Sequence, residues 1–368
     1  MMPHVEALAG DEVVEEGLEL AGMVGEAGYF ENVRGRYLAA RLLQERSLRL
    51  MEAALGPDHP RVATPLGNLA LTLADGGDPR AARPLLERAL QIDEAAFGID
   101  HPTTAVDLTN LATILGELGD HAAARPLKER ALRIAQTTLG PDHQVTSLRI
   151  GNLAITLGAL GDFVGARAFE ERALQITEAA MGADHPDTAR CLGNLGETLG
   201  KLGHHASATP LHLRALAISE AVLGHQHPTT ATALSNLACN LGCLGDHDGA
   251  RVMHERALRV TEEALGLEHP DTGTRLNNLA TTLVALGDHV GARAMLERAL
   301  RITETTRGAD HPDMAVRLNN LAHASLALGE SLQARPLLLR AIAIAEARLG
   351  PDHPDTRRYR ATLEGIGE

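Results

Sequence analysis

Along residues 270–307 the apolar positions form two stripes with a break between them. Leu276, Leu279, Ala280, Leu283 and Val284 recur at i, i+3, i+4, i+7 and i+8, the spacing of one helix face. Gly287 then interrupts the pattern as a residue that tolerates positive φ just past a helix C-terminus, and Asp288 is a good N-cap for the next helix. Ala292, Met295, Leu296, Ala299 and Leu300 repeat the helical spacing, and Gly308 closes the unit. Pro270 suits a first helical turn, where its missing N–H costs nothing. The pattern therefore predicts a helix A, a tight turn and a helix B.

This unit recurs. Gly56, Gly98, Gly140, Gly182, Gly224, Gly266, Gly308 and Gly350 stand 42 residues apart. Mid-unit glycines fall at Gly77, Gly119, Gly161, Gly203, Gly245, Gly287 and Gly329. Small residues on helix A (Ala70, Ala112, Ala154, Gly196, Ala238, Ala280, Ala322) and alanines on helix B (Ala89, Ala131, Ala173, Ala215, Ala257, Ala299, Ala341) keep the same register. A period of this size marks one supersecondary unit stacked on copies of itself. The expected organisation is a tail without fixed order over 1–17, a degenerate first repeat over 18–56 with Glu26 where later repeats have Asn, seven repeats over 57–350, and a closing helix within 351–368. Pro84, Pro126, Pro210 and Pro336 lie inside helix B, which predicts a bend or a tightened first turn there.

Composition narrows the reading. Aromatic residues make up 2% of the chain and Trp is absent, so the cores are aliphatic and a Trp-dependent propeller is disfavoured. The net charge is −14, the only lysines are Lys128 and Lys201, and no basic cluster is present, so no nucleic-acid partner is expected. No apolar run reaches the ~18 residues of a membrane span. The first residues are acidic and lack a basic stretch followed by an apolar one, and Cys191, Cys239 and Cys243 make no disulfide framework. These features lead to the expectation of a cytoplasmic location and no membrane partner.

The segments Leu276-Asn277-Asn278-Leu279-Ala280, Leu286-Gly287-Asp288 and Ala292–Leu300, with Leu265-Gly266 and His269-Pro270 at the loop, resemble the 42-residue tetratricopeptide repeat of kinesin light chains, also common in bacterial arrays. The likeness spans about residues 37–366. It implies an all-α fold: a right-handed α-solenoid of about eight helix-turn-helix repeats with a C-terminal cap helix, whose helices A line a groove for extended peptides. The sequence departs from that family where aromatic residues are usual: Leu73, Leu115 and Leu157 stand in helix A, and Pro79, His121 and Phe163 open helix B. It also lacks the coiled-coil heptads that join light chains to a motor, so the resemblance carries fold and binding mode but not transport.

The candidate site is an asparagine ladder on helix A: Asn68, Asn110, Asn152, Asn194, Asn236, Asn278 and Asn320. The resemblance implies that these amides reach a bound peptide's backbone. The chemistry fits, because an amide offers donor and acceptor together and can pair with any main chain. The alternative is that they bridge neighbouring helices and only hold the array together. Arg149, Arg190, Arg275, Arg317, Asn277 and Asn319 are expected on the same face of helix A, lining the groove, beside Thr64, Thr109, Glu197, Lys201, Thr232, Thr281 and His323. Arginine forks suit carboxylates, which points to a peptide with acidic residues unless they pair with the protein's own Asp and Glu.

Other patterns carry less. His59, His101, His185, His227, His269, His311 and His353 each precede Pro in the inter-repeat loop. They read as capping or packing residues, not as a metal set, because copies one repeat apart cannot share an ion with ~2 Å zinc–nitrogen bonds. Cys239, Cys243 and His247 are interrupted by Gly245. The run Gly196–Lys201 fails as a phosphate loop, since Leu202 stands where Ser or Thr is required and the spacing is one residue short. Glu-Arg pairs such as Glu129-Arg130 and Glu297-Arg298 read as a solvated face, with a Glu297–Arg301 pair along it. The expectation is a non-enzymatic scaffold or adaptor that holds a partner protein or peptide, with no cofactor and no metal. The alternatives are a sensor subunit for a separate signalling ATPase or protease, and a metal-dependent hydrolase using the loop histidines.

Overall fold

The computed structural model describes the backbone of residues 2–365 and the side chains of residues 14–365. The predicted stripes of residues 270–307 converge on each other: Leu276, Leu279, Ala280 and Leu283 bury against Ala292, Leu296 and Ala299 in one cluster. That cluster also takes in Leu258 from the repeat before and Leu321 from the repeat after, so each core is shared with its neighbours.

The chain divides into two units, residues 1–120 and 121–368. In the first, helices A are α1 (Met2–Val33), α3 (Ala63–Asp75, entered through a 3-10 turn at Pro60–Val62) and α5 (Pro102–Glu117). Its helices B are α2 (Tyr37–Leu55) and α4 (Pro79–Phe97). The second unit begins with helix B α6 (His121–Thr138). It continues through the hairpins α7/α8 (Gln144–Ala159, Phe163–Met181), α9/α10 (Pro186–Lys201, His205–Val222) and α11/α12 (Pro228–Cys243, His247–Leu265). Then come α13/α14 (Pro270–Ala285, His289–Thr306), α15/α16 (Pro312–Ala327, Ser331–Arg348) and a last helix α17 (Pro354–Glu364). The fold is an all-α solenoid of two-helix repeats, with no strand among the described residues. No helix of the described residues is long and apolar enough to cross a membrane. The segment expected as a tail over 1–17 lies, from Met2 on, within the backbone of α1, and the side chains of residues 1–13 lie outside the described residues.

Local chemistry sets the ends of each helix. Gly287 takes φ +80° in the A–B turn, a conformation that side chains with a Cβ rarely adopt. Asp288 Oδ1 then accepts the Gly291 N–H at 2.8 Å, the predicted N-cap. In the loop, His269 Nδ1 accepts the Asp271 N–H at 3.2 Å, and His59, His101, His185, His227, His311 and His353 cap their helices in the same way. His143, which precedes Gln144 instead of a proline, does so as well. The loop is tied further by Thr272, whose hydroxyl donates to the Gly266 carbonyl at 2.8 Å.

One sequence expectation changes, and another is located in the fold. The helices holding Pro84, Pro126, Pro210 and Pro336 continue through the ring. Pro84 is the sixth residue of α4, so the lost i→i−4 bond falls in the exposed first turn, where it disturbs least. The Glu-Arg face is not simply solvated. Arg298 pairs with Glu262 of the preceding helix B and donates to the Leu267 carbonyl, and Arg88 does the same with Glu52 and the Pro57 carbonyl. These arginines tie consecutive repeats. Glu297–Arg301 is not among the ion pairs of the described residues; on helices B the i,i+4 pairs run from Arg to Glu, as at Arg83–Glu87, Arg125–Glu129 and Arg167–Glu171.

In the first unit, Asp93 on α4 and Asp107 on α5 are both buried and face each other. Burial, then the hydrogen bond and charge of Asp93, push the Asp107 carboxyl up to about 7. The folded state therefore keeps a proton that the unfolded chain releases near the usual carboxylate range, and stability falls as pH rises from about 4 to about 7. Asp107→Asn keeps a donor for Asp93 without the buried charge. It is expected to stabilise the α4–α5 region by on the order of 2 kcal/mol at pH 8 and by much less at pH 4. Hydrogen exchange of α4 and α5 amides at the two pH values measures this; an equal effect at both would refute the shared-proton account.

Candidate functional site

In the second unit, successive helices A (α7, α9, α11, α13, α15) approach one another more closely than successive helices B do. The row of helices A is therefore the inner row of that unit, and the surface between its members is the recessed one.

The ladder stands on that row. Asn152, Asn194, Asn236, Asn278 and Asn320 lie on α7, α9, α11, α13 and α15, each half-buried. Asn68 on α3 and Asn110 on α5 hold the same helix position in the first unit and are also half-buried. Among the described residues the side-chain amides of Asn68, Asn110, Asn152, Asn194, Asn236 and Asn278 make no hydrogen bond within the protein. Asn320 differs: its Nδ2 donates to Asn277 Oδ1 on α13 at 2.8 Å, and its Oδ1 accepts from Asn319 Nδ2 at 3.5 Å. Helix-to-helix bridging by the ladder thus occurs at Asn320 alone among the described residues.

Between α9 and α11, over α10, the recess opens into a cavity. This cavity of about 540 Å³ is lined by Glu197, Lys201, His205, His212, Asn236, Cys239 and Cys243, among others. A smaller one of about 120 Å³ beside it is lined by Arg190, Asn194, His212, Thr232 and Asn236. Asn236 therefore edges both spaces, and Asn194 the smaller one. The floor is unusual. A Cβ on Gly196 would lie 2.6 Å from the His212 ring, so the imidazole fills the place an alanine methyl takes in other repeats. Burial lowers the His212 pKa, and its Nδ1 is buried without a partner. Asn240 closes one side: its Nδ2 donates to the His205 carbonyl at 3.1 Å and to the Thr209 hydroxyl at 2.9 Å. The run Gly196–Lys201 is part of α9 throughout, as its helical register required.

The arginines divide. Arg190 lines the smaller cavity and stands 3.5 Å from Asp187 through Nε, leaving much of its fork exposed. Arg149 on α7 is half-buried and its pKa is lowered by burial. Arg275 donates to Ser235 Oγ at 3.1 Å and to Thr232 Oγ1 at 2.8 Å on α11. Arg317 is 3% exposed, 3.2 Å from Asp313 and 3.4 Å from Thr274 Oγ1 on α13. Asn319 is 4% exposed. Arg275, Arg317 and Asn319 were expected on the recessed surface. The structure places the two arginines in the seams between helices A, each bonded to the helix A of the previous repeat, and buries Asn319 beside Asn320. Asn277 is half-buried and occupied by Asn320.

Sequence reading missed His205, His212 and Asn240. A usable signal existed for His212: it shares a register column with Leu86, Leu296 and Leu338, all fully or almost fully buried, so a polar residue there had to lie inside. The loop histidines spend Nδ1 on capping, and Cys239 and Cys243 are free thiols.

Known proteins provide the frame for this site. The sequence profile of the tetratricopeptide repeat family matches residues 20–95, 77–137, 108–179, 144–221, 205–263, 240–305 and 271–347. No curated protein matches the chain. Among solved structures, the Rap protein complexed with competence and sporulation factor is 12% identical, covers 95% of this chain and 98% of its own, and has a TM-score of 0.57, a likeness of fold. Repeats of a putative kinesin light chain from Podosopora anserina are 22% identical over 56% of this chain and 98% of theirs, with a TM-score of 0.47. BtubC (BKLC) from P. vanneervenii is 22% identical over 68% of this chain and 92% of its own, with a TM-score of 0.48. With its repeats matched from residue 20 to residue 347, the chain belongs to the tetratricopeptide repeat family.

Proposed function

We propose that this chain is a non-enzymatic protein-interaction scaffold that holds an extended segment of a partner along its row of helices A. One observation carries the reading: four consecutive amides of the second unit, Asn152, Asn194, Asn236 and Asn278, are half-exposed on the inner row and unpaired among the described residues. A half-buried amide without a partner leaves hydrogen-bonding capacity unused, and an extended main chain supplies a donor and an acceptor at each residue. Main-chain pairing gives affinity, and flanking side chains give specificity. An acidic side chain of the segment would sit at Arg190, on the cavity wall.

The test uses a dodecapeptide selected from a random displayed library against the whole chain. Replacing Asn194, Asn236 and Asn278 together by Ala removes three neutral hydrogen-bond partners at about 0.5–1.5 kcal/mol each. The expected result is at least a tenfold weaker Kd with an unchanged melting curve. An unchanged Kd accompanied by a lower melting temperature would show that the amides only support the fold.

A further inference from the structure

The first repeat exposes a helix face whose equivalent positions are for the most part buried in the later repeats. On α1, Leu20, Met23, Ala27 and Phe30 recur at i, i+3, i+7 and i+10 and form one stripe. One repeat and more further on, the Ala27 position holds Leu69, Leu111, Leu153, Leu195, Leu237 and Leu279, each buried. The Phe30 position holds Thr72, Ile114, Thr156, Thr198, Asn240 and Thr282, each no more than 9% exposed. Phe30 itself is 62% exposed, as is Met23, and Ala27 and Leu20 are exposed too. The other side of α1 is properly packed: Ala21 and Val24 are buried, and Ser47 of α2 donates to the Ala21 carbonyl at 2.7 Å. The bare stripe is thus not a loose helix. It is a receiving face left bare among the described residues.

What such a face receives is visible in the later repeats. There the stripe packs on helix B of the preceding repeat; Leu258 of α12 joins the Leu276–Leu279 cluster, and Asn240 bonds to α10 directly. The occupant is therefore a helix. Its charge is set by the rim. Glu16 lies in line with the stripe, one turn before Leu20, while Glu19 and Glu26 flank it. All three are exposed and form no ion pair among the described residues, and α1 carries no Lys or Arg over residues 14–33. A second copy of α1 would set Glu19 and Glu26 against their own kind, which is repulsive. The far end of another copy offers no match either: α17 has already buried Thr356 and Tyr359 and turns Arg357 and Arg358 outward without an apolar stripe.

We infer that the α1 face docks an amphipathic helix of another protein, with an apolar stripe flanked by Lys or Arg. This site is separate from the row of ladder amides and stands without that reading. The probe is a three-heptad helical peptide with Leu on its stripe and Lys on both flanks, compared with the same peptide carrying Glu flanks. The Lys peptide should bind the whole chain, more weakly as salt rises. Phe30→Glu and Met23→Glu, both at exposed positions, should each weaken it at least tenfold with the melting curve unchanged. Equal binding of the two peptides, or binding of neither, overturns the inference. So does self-association of the chain in sedimentation equilibrium that Phe30→Glu abolishes, which would assign the face to a second copy.

Discussion

Arg317→Ala will loosen the C-terminal repeats by about 3 kcal/mol, the largest effect expected from any change on helices A. The guanidinium is buried between α13 and α15 and lies 3.2 Å from Asp313. Burial alone would raise the Asp313 carboxyl, but Arg317 and then Arg307 outweigh it and hold its pKa below the ordinary value. Removing Arg317 takes away the stronger of those two attractions and leaves a hole the size of a long side chain. Arg317→Met fills the hole but not the charge, and should cost about half as much. Because a repeat array does not unfold in one step, a single global stability would hide the effect. Native-state hydrogen exchange resolves it: protection should fall in α13, α15 and α17 while α7 and α8 stay as they are. Loss spread evenly along the second unit would contradict this account. The Asp313 contribution carries its own pH signature. With its pKa depressed in the folded state, its stabilisation is complete above the ordinary carboxylate range and is lost as pH falls below it.

Gly196→Ala will destabilise the α9/α10 hairpin by about 1–3 kcal/mol, against the usual gain from placing Ala in a helix. The new methyl would stand 2.6 Å from a ring that is 3% exposed and has nowhere to swing. Adding His212→Leu should reverse the sign. The pair then becomes Ala over Leu, the combination found at Ala70/Leu86, Ala280/Leu296 and Ala322/Leu338. It also removes a buried imidazole nitrogen that lacks a partner, worth about 1–3 kcal/mol. The double variant should exceed the wild type in stability, with a coupling energy near the upper end of the ~0.5–3 kcal/mol seen for residues in contact. Additive effects in this cycle would mean that Gly196 and His212 do not depend on each other.

That cycle also marks how far the sequence could be read. Period, helix pairs, N-caps and shared cores were legible because each depends on neighbours a few residues or one repeat away. Leu276 to Leu300 needed only helical spacing to be placed correctly. The column through Gln44, Lys128, Glu170, His212 and His254 was harder. Polar residues there look like surface, yet all five are buried, because helix packing fixes the position whatever residue occupies it. The consequence is electrostatic: burial pushes Glu170 up to about 7 and Lys128 down to about 8. The arginines failed for a related reason. Arg275 and Arg317 lie three residues before a ladder asparagine, close in sequence but around the helix toward the previous repeat. A one-dimensional reading that assigns a whole helix to one surface cannot separate a seam from a recess. The ladder itself was legible as a row, but its lack of partners along most of its length was not, since that depends on what the neighbouring helices withhold.

The central claim is that the free amides of the inner row grip a main chain. It is tested most directly by changing the main chain and nothing else. In the selected dodecapeptide, single backbone amides are replaced by esters, which removes an N–H and weakens the carbonyl while keeping every side chain. Some of these esters should weaken binding to the wild-type chain by about three- to tenfold, one lost hydrogen bond each. Against Asn194→Ala, Asn236→Ala or Asn278→Ala, the penalty at one matched position should vanish. If every ester binds as well as the parent peptide, or if the penalties are the same in all three variants, the amides do not hold the backbone and the proposed grip is wrong.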